Sequence, residues 1–413
     1  MTKAICVGVG LKSEPVSQIK ENLMELVELV VANDCEVVGS ITQILSQYNP
    51  TFLIGTGKVE EIKKMIQDLG ANLVVIDHQL SGGQTRNLEK ELQVKVLDRS
   101  QIILEIFSKR AKTFEGKLQV ELAQLMDQLP RMVGAWMDSL SRQGGGIGTR
   151  GPGETALEQD KRRIRERIQL IRKKLEVVRK NRAQNREMRK QSEIVSFALI
   201  GYTNSGKSSL LQRLTGKTAF IKNQPFATLD PMTRKIFLGP GFQAVVTDTV
   251  GFIRKIPPQL IEAFKATLEE SEESDFLIHV IDLSHPQRDQ HIEVVEKIME
   301  ELKWDHKKVI YVYNKVDIAP IEARFQVKGY PRVFVSALTG EGIDTLKELM
   351  KEMITNKTVE MEFFFALHQQ QDFFNFTRDA DLISQNSGPT GTHVKARIKK
   401  DLIGRWSQFS IQK

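Results

Sequence analysis

Apolar and polar positions alternate in blocks along the first hundred residues of the chain. Short apolar runs of strand length are separated by stretches in which apolar residues recur every three to four positions, as on one face of a helix. The runs are Ala4–Val9, Cys35–Ile41, Thr51–Ile54, Leu73–Ile76 and Val94–Leu97, and the helical stretches are Ser17–Val31, Val59–Leu69 and Gly83–Leu92. Strands alternating with helices predict an α/β domain with a largely parallel sheet, which we place at residues 1–112.

The pattern then changes to two apolar stripes at helical spacing. The first comprises Leu118, Leu122, Leu125 and Leu129, and the second comprises Ile164, Ile168, Ile171, Leu175 and Val178. The segment Arg142–Glu154 between them contains six glycines and a proline, a composition that does not support a helix. We therefore predict an antiparallel helical hairpin at residues 113–192, with the glycine-rich segment at its tip.

The βαβ pattern resumes after residue 193, from the apolar run Val195–Ile200 to the amphipathic stretch Gly342–Met353. It predicts a second α/β domain with a parallel sheet at residues 193–356. Beyond Asn356, the segments VEMEFFF and HVKARI alternate like strands around a helical stretch at His368–Arg378. A small α+β end domain at residues 357–413 is the simplest interpretation.

Composition narrows the class of protein. Of the 413 residues, 27% are charged and 40% are hydrophobic, close to an ordinary soluble globular protein. Cys6 and Cys35 have neither a CxxC partner nor a histidine at zinc-ligand spacing, which favours a reducing, cytoplasmic compartment. No apolar run approaches the roughly 18 residues that a bilayer requires, so membrane insertion is not expected. Nothing in the sequence requires more than a monomer.

Charge is concentrated in one part of the chain. The net charge is +7, but Lys161–Lys190 alone contains fourteen Lys or Arg against three acidic residues. Such a local positive field suits a polyanion such as nucleic acid. A solvated helix face has the same composition, and the residues alone leave both interpretations open.

The segment GYTNSGKS, Gly201–Ser208, fits the phosphate-binding pattern GxxxxGK[ST] and lies between a predicted strand and a predicted helix. Its glycines allow backbone N–H groups to surround phosphate oxygens, and the helix N-terminus adds partial positive charge. We expect Lys207 to reach the β- and γ-phosphates and Ser208 to bind Mg²⁺. The predicted contacts of this loop are Gly201, Tyr202, Thr203, Asn204, Ser205, Gly206, Lys207, Ser208 and Ser209.

Three further motifs follow in the order of a GTPase. DTVG, Asp248–Gly251, offers an acidic residue to the shell of Mg²⁺ and a glycine amide to the γ-phosphate. NKVD, Asn314–Asp317, offers an amide, a lysine stem and a carboxylate that accepts from the guanine edge, which adenine cannot match. SAL, Ser336–Leu338, offers backbone amides to the base. Together they predict a GTP site with contacts from Asp248, Gly251, Asn314, Lys315, Asp317, Ser336, Ala337 and Leu338.

Several longer stretches resemble the HflX family within the translation-factor-like class of P-loop GTPases. They are FLIGTGKVEEI (52–62), RNLEKEL (86–92), EGKLQVELAQLMDQLPRM (115–132), GGGIGTRGPGETALEQDKRRIRERI (144–168), FATLDPMTRK (226–235) and DTVGFIRKIPPQLIEAFKATLEE (248–270). The resemblance implies an N-terminal α/β domain, a helical linker and a GTPase domain that cycles between GTP and GDP with Mg²⁺. It also implies binding to the large ribosomal subunit and its rRNA, and the splitting or rescue of stalled ribosomes under stress.

The resemblance also assigns roles to individual residues. Thr228 resembles the switch threonine that closes on Mg²⁺ and the γ-phosphate, beside Lys207 and Gly251 as catalytic groups. Met232 stands where the family usually has another threonine, which leaves Thr228 and Thr233 as alternatives. The basic helix and glycine-rich segment resemble the region that approaches rRNA. The predicted RNA contacts are Arg142, Arg150, Lys161, Arg162, Arg163, Arg165 and Arg167.

Phe252 occupies the position at which Ras-like enzymes carry the glutamine that orients the attacking water. Phenylalanine cannot bond water, so we expect slow intrinsic hydrolysis that a partner, expected to be the ribosome, stimulates. Two other functions remain open, namely a ribosome-assembly GTPase and an RNA-remodelling protein driven by nucleotide in the N-terminal domain. The second would use GTGK, Gly55–Lys58, although that motif lacks the full phosphate-loop spacing and a helix start is its simpler role.

Overall fold

The computed structural model describes residues 1–140, 152–191, 195–216, 226, 231–239, 242–255, 257, 259–263, 271–304 and 309–411. Within these residues there are three sheets, and the chain divides into two compact units. The first unit comprises Met1–Glu176, Asn223–Leu229 and Lys255–Lys265, and the second comprises Val177–Lys222, Asp230–Arg254 and Ala266–Lys413.

The N-terminal sheet is fully parallel and has the strand order β2-β1-β3-β4. Its strands are β1 Thr2–Leu11, β2 Cys35–Leu45, β3 Leu73–Ile76 and β4 Lys95–Asp98. The helices that alternate with them are α1 Val16–Ala32, α2 Thr56–Leu69, α3 Gly82–Leu92 and α4 Arg99–Arg110. The predicted α/β architecture of this region is confirmed.

Side-chain caps explain where two of these helices begin. Ser81 accepts a hydrogen bond from the backbone of Gln84, and the Gln84 side chain bonds back to Ser81. Asp98 and Gln101 form the same reciprocal pair at the start of α4. Each pair satisfies amides that lack a partner in the first helical turn, which is worth about 1 kcal/mol.

The predicted strand Thr51–Ile54 is wrong. This segment is a turn, in which Leu53 has a φ of 65° and the Asn49 side chain accepts from the amides of Thr51 and Phe52. Leu53 and Ile54 are nonetheless buried in the core below the N-terminal sheet. These two residues of the run are therefore buried without being extended. A short apolar run alone does not distinguish a buried strand from a buried turn.

Two long helices follow, α5 Phe114–Leu140 and α6 Pro152–Gln191. Helix α5 packs against α3 and α4, so its apolar stripe covers the N-terminal domain. An ion pair of 2.7 Å between Arg167 and Glu121 joins α6 to α5. The prediction that no helix forms within Arg142–Glu154 is wrong at its end, because α6 begins at Pro152, and proline is favoured in a first helical turn.

The central sheet has six strands in the order β10-β9-β8-β5-β7-β6, parallel except for the antiparallel pair β6–β7. Its strands are β5 Val195–Ile200, β6 Met232–Gly239, β7 Phe242–Asp248, β8 Phe276–Asp282, β9 Val309–Asn314 and β10 Arg332–Phe334. Helices α7 Lys207–Thr215, α8 Arg288–Glu301 and α9 Ile343–Lys357 flank it. The predicted parallel α/β domain is confirmed.

A three-stranded antiparallel sheet ends the chain, in the order β11-β13-β12. It comprises β11 Thr358–Ala366, β12 Ala380–Ser387 and β13 Gly391–Lys399, with helices α10 Gln370–Asp379 and α11 Ile403–Trp406. The core is aromatic and includes the fully buried Phe363, Phe365 and Phe376. This agrees with the predicted α+β end domain, although β12 was not foreseen because its residues are mostly polar.

Candidate nucleotide-binding site

The loop Gly201–Ser208 connects the end of β5 to the start of α7, at the carboxyl edge of the central sheet. Gly206 has a φ of 93°, and a Cβ atom there would lie 2.2 Å from Asn314 Nδ2, so only glycine fits. The buried Ser205 hydroxyl has no hydrogen-bond partner within the described part of the chain. Backbone amides at a helix N-terminus and an unsatisfied buried hydroxyl suit a phosphate group.

Lys207 is buried at the first position of α7. Its Nζ donates to the carbonyl oxygens of Gly201, at 3.0 Å, and Tyr202, at 2.7 Å. Burial lowers the pKa of this ammonium to about 8, while Asp248 acts in the opposite direction. A phosphate beside it would stabilise the charged form, as expected of a lysine that binds the β- and γ-phosphates.

The fit of Mg²⁺ depends on Ser208 and Asp248. The Ser208 hydroxyl donates to Asp248 Oδ2 at 2.6 Å, and Asp248 ends β7 in a buried position. Within the described ranges, no three His, Cys, Asp or Glu side chains are grouped to hold a metal ion. Mg²⁺ usually takes one or two protein oxygens together with phosphate and water. Ser208 would hold the ion, which would neutralise charge on the phosphates.

Asn314 connects two loops of the site. Its Nδ2 donates to the Ser205 carbonyl at 2.9 Å, and its Oδ1 accepts from the Ala337 amide at 3.0 Å. Lys315, with a φ of 66°, pairs with Asp282 at 2.6 Å, whereas Asp317 is exposed and available to a base. The asparagine thus aligns the phosphate loop with the base-binding loops.

The segment Ser336–Leu338 follows β10. Ser336 is buried, and its hydroxyl accepts from the Thr339 amide at 3.0 Å. The Leu338 side chain is 81% exposed, while its carbonyl accepts from Arg213 at 3.3 Å. The contact between Ala337 and Asn314 places this turn beside NKVD, as the predicted base site requires.

Phe252 and Arg254 follow the DTVG glycine. Phe252 is 3% exposed and packs 6.4 Å from the Trp304 ring, so it is a hydrophobic anchor. Arg254 donates to Gln287 and Gln290 near the start of α8. Phe252 has no polar side-chain atom, and the Arg254 guanidinium bonds the two glutamines.

Thr228 and Thr233 are the two candidates for the switch threonine. Thr228 lies outside the described residues. Thr233 lies in β6, where its hydroxyl is 2.9 Å from that of Thr247 in the antiparallel ladder. This contact occupies Thr233 within the sheet.

The predicted RNA contacts lie mainly on α6. Arg142 and Arg150 lie outside the described residues. Arg162 and Arg163 are exposed and pair with Glu166 and Asp160 of the same helix. The remaining members of this group are partly or fully exposed and comprise Lys161, Arg165 and Arg167.

The motif GTGK, Gly55–Lys58, which resembles part of a phosphate loop, lies at the start of α2. Gly55 donates its amide to Gln43 Oε1 at 3.0 Å and has ordinary extended dihedral angles. Lys58 pairs with Glu61 at 2.7 Å one turn further on. These contacts are those of a helix start.

Sequence reasoning missed two groups in the site. Asp282 ends β8 and pairs with Lys315, and the Tyr202 hydroxyl accepts a hydrogen bond from the Arg254 amide at 2.9 Å. Asp282 was detectable, because it ends an apolar strand beside NKVD in a parallel sheet. The role of the Tyr202 hydroxyl depends on a fold in the DTVG segment that no local pattern encodes.

A parallel sheet with a phosphate loop at its carboxyl edge, an acidic strand end beside the loop serine, and NKVD together define a P-loop GTPase. None of the helices among the described residues has the length and apolar character needed to cross a membrane.

Comparison with known proteins identifies the family. Residues 20–108, 110–189 and 196–315 match family models described as GTP-binding GTPase N-terminal, GTP-binding GTPase Middle Region and 50S ribosome-binding GTPase. GTPase HflX of Caldanaerobacter subterraneus is 43% identical over 99% of this chain and 94% of its own length. GTPase HflX of Escherichia coli is 41% identical over 82% of this chain and 80% of its own. The chain belongs to the HflX family of GTPases, as its sequence motifs predicted, and it is a GTP-hydrolysing enzyme.

Proposed function

We propose that this GTPase binds the large ribosomal subunit through its rRNA and uses GTP to split or rescue stalled ribosomes under stress, as a cytoplasmic monomer. The family model over residues 196–315 is described as a 50S ribosome-binding GTPase, which supports the choice of partner. The exposed cations of α6 support RNA contact, since lysine and arginine gain affinity for phosphates by displacing counterions.

The observation that carries the proposal lies in the first compact unit, which contains the segments Asn223–Leu229 and Lys255–Lys265. The Phe226 carbonyl accepts from Arg110 of α4 at 3.0 Å, and its ring packs edge-on against Phe107 at 4.5 Å. Lys255 pairs with Asp77, directly after β3, at 3.1 Å. Segments beside the predicted switch threonine and after the DTVG glycine therefore contact the N-terminal domain.

These contacts supply a route from nucleotide to ribosome. Switch segments are ordered by the γ-phosphate and released after hydrolysis. GTP would therefore strengthen or break the contacts of Phe226 and Lys255, changing how the N-terminal and helical regions are presented to RNA. Hydrolysis would release the protein from the subunit.

We further propose a low basal rate of hydrolysis. Phe252 is buried against Trp304 and has no polar atom on its side chain to position water. A ribosomal partner would then order the groups that the free protein lacks. Lys207, Gly251 and Thr228 would stabilise the transferring phosphoryl group, with Mg²⁺ held through Ser208 and Thr228.

GTP turnover by the purified chain, alone and with increasing large ribosomal subunits, tests the proposal. We expect slow turnover alone and strong stimulation by the subunit, with Lys207→Ala as the inactive control. Tight GTP binding without stimulation would exclude the mature large subunit as the partner.

Two further assays separate the alternatives. Splitting is measured as the conversion of intact ribosomes to subunits in a sucrose gradient with GTP, and an assembly factor would instead bind only immature subunits. Neutralising Arg162 and Arg163 together should weaken ribosome binding and reduce its dependence on salt. Loss of RNA remodelling in Lys58→Ala but not in Lys207→Ala would support a nucleotide-driven N-terminal domain.

A further inference from the structure

The residues after the DTVG glycine are bonded directly to the phosphate loop. The Phe252 amide donates to the Gly201 carbonyl at 3.0 Å, and the Phe252 carbonyl accepts from the Thr203 amide at 2.7 Å, which makes a short parallel bridge. The Arg254 amide adds a third bond, to the Tyr202 hydroxyl, at 2.9 Å. We call these three bonds the latch. All of its residues lie in the second compact unit.

Both ends of the third bond are held by α8 and the residue before it. The Tyr202 ring stacks on His291 with a centroid separation of 3.7 Å and an interplanar angle of 3°. The Arg254 guanidinium donates to Gln287 at 3.2 Å and to Gln290. Tyr202 and Arg254 are 6% and 9% exposed. Because both groups are held in place and shielded from solvent, their hydrogen bond is stronger than one at the surface.

The charge state around the latch is simple. Burial, with smaller effects from His285 and Arg254, lowers the pKa of His291 to about 3. The ring that stacks on Tyr202 is therefore neutral at physiological pH. The stacking of Tyr202 on His291 therefore does not change with pH near neutrality.

The latch places Gly251 against the groups that bind phosphate. A Cβ atom on Gly251 would lie 2.9 Å from Lys207 Nζ and 3.0 Å from Thr203 Cα. Lys207 Nζ at the same time donates to two carbonyls of the loop. In GTPases of this class, the glycine amide and the lysine both contact the γ-phosphate. Here even a methyl group on Gly251 would not fit beside Lys207 and Thr203 without a shift, so the closed latch leaves little room for a γ-phosphate at this point.

We propose that the Tyr202 hydroxyl, stacked on His291 and bonded to the Arg254 amide, is a positioning group that holds Phe252–Arg254 on the phosphate loop and biases the protein toward GDP over GTP. GDP lacks the γ-phosphate and leaves the latch closed. GTP must open it, and part of the binding free energy of GTP is used in doing so. This proposal depends only on GTP binding and is independent of the ribosomal partner.

The test is Tyr202→Phe in the full chain, which removes one oxygen and keeps the stacked ring. Affinities for GDP and for a non-hydrolysable GTP analogue are measured with fluorescent derivatives. Loss of one buried hydrogen bond present only in the closed arrangement should favour the GTP analogue by about three- to tenfold relative to GDP. An affinity ratio unchanged within about twofold would overturn the proposal.

Tyr311→Phe is the matched control. It removes another tyrosine hydroxyl from the same unit, one that donates to Glu296 at 3.0 Å and takes no part in the latch. We expect its affinity ratio to equal that of the parent protein. An equal change in both variants would reveal a general loosening of the domain and would contradict a specific latch.

A second variant keeps the proposal testable if Tyr202→Phe does not fold. Gln290→Ala removes a partner of the Arg254 guanidinium on α8 and should shift the affinity ratio in the same direction. Fluorescence of Trp304, which neighbours Phe252, provides a separate signal, with Trp304→Phe as the blank. The GTP analogue should change this emission more than GDP does, and an identical response to both would overturn the proposal.

Discussion

The N-terminal and central sheets carry similar polar groups at similar places, with different partners. In the N-terminal sheet, Asp77 follows β3 and Asp98 ends β4, and they pair with Arg99 at 2.7 Å and with Arg131 at 2.6 Å. In the central sheet, Asp248 accepts from the Ser208 hydroxyl, and Lys207 donates to backbone carbonyls. The N-terminal carboxylates thus bond guanidinium groups, whereas Lys207 donates to neutral carbonyls and Asp248 accepts from a neutral hydroxyl, beside the Lys315–Asp282 ion pair at the same edge.

The difference indicates where chemistry is to be expected. A buried ion pair whose members satisfy each other offers a ligand little, because displacing either member leaves an unpaired charge. A buried lysine held by carbonyls gains from an arriving phosphate, which adds negative charge next to it. Two sheets of the same class therefore play different roles, which have to be argued from the site and not from the fold.

The largest effect on stability should come from Arg99→Ala. The pKa of Arg99 is lowered by burial but raised more strongly by Glu25 and Asp77, so this guanidinium is charged. Its loss removes a cationic partner from the partly buried Glu25 and from the buried Asp77, which keeps Lys255, and costs up to about 3–5 kcal/mol. Native-state hydrogen exchange of the β1 and β3 amides measures this, and Lys95→Ala, which breaks a half-exposed pair, is the control expected to cost under about 1 kcal/mol.

Lys207→Ala, in contrast, should weaken GTP binding and leave the stability of the N-terminal sheet unchanged. It removes a charge that contacts phosphate, and we expect GTP affinity to fall by about 2–5 kcal/mol, measured by titration with a fluorescent nucleotide. Exchange in the N-terminal sheet should not change. A large loss of stability with little loss of GTP affinity would contradict the different roles assigned to the two sheets.

Asp317→Asn tests the assignment of the base site. A carboxylate accepts from two donors on guanine, and an amide cannot accept both, so GTP binding should weaken by about 1.5–3 kcal/mol. Xanthosine triphosphate, whose ring offers an oxygen in place of the exocyclic amine, should bind the variant better than GTP does. Asp344→Asn, in the first turn of α9, is the matched control for loss of one carboxylate. Unchanged GTP affinity in Asp317→Asn would contradict the assignment.

Much of this structure could be predicted from sequence, for reasons that differ between elements. β3 and the phosphate loop are specified locally, by four consecutive buried residues and by two glycines that precede a lysine. Thr51–Ile54 was assigned wrongly, because burial without length does not distinguish a strand from a turn. Local patterns carry no information about partners distant in sequence.

The candidate site shows the same limit. The motif predicts that Asn314 contacts the base, and its side chain also bonds Ser205 and Ala337, 109 and 23 residues away. The Tyr202 hydroxyl has a partner 52 residues away, in a segment without regular secondary structure. Motifs predict the reacting groups, whereas the groups that position them depend on tertiary packing.

The smallest effect concerns pH and follows from the burial of Lys207, whose pKa of about 8 is that of the protein without phosphate beside it. Bound phosphates stabilise the ammonium and raise its pKa. Below about pH 8 the lysine already carries its proton, so it adds no pH dependence to GTP affinity. Above this value binding must take up a proton, and affinity should fall by up to about tenfold for each further pH unit.

Calorimetry in buffers of different ionisation enthalpy measures that proton directly, as an uptake that grows through about pH 8 to 9. Lys207→Arg is the control, since a guanidinium remains charged throughout and shares every other titrating group, including the guanine base. If proton uptake on GTP binding persisted in Lys207→Arg, the proton would belong to a group other than Lys207. The contrast between the sheets would then rest on geometry alone, because the lysine would be charged with or without its phosphate partner.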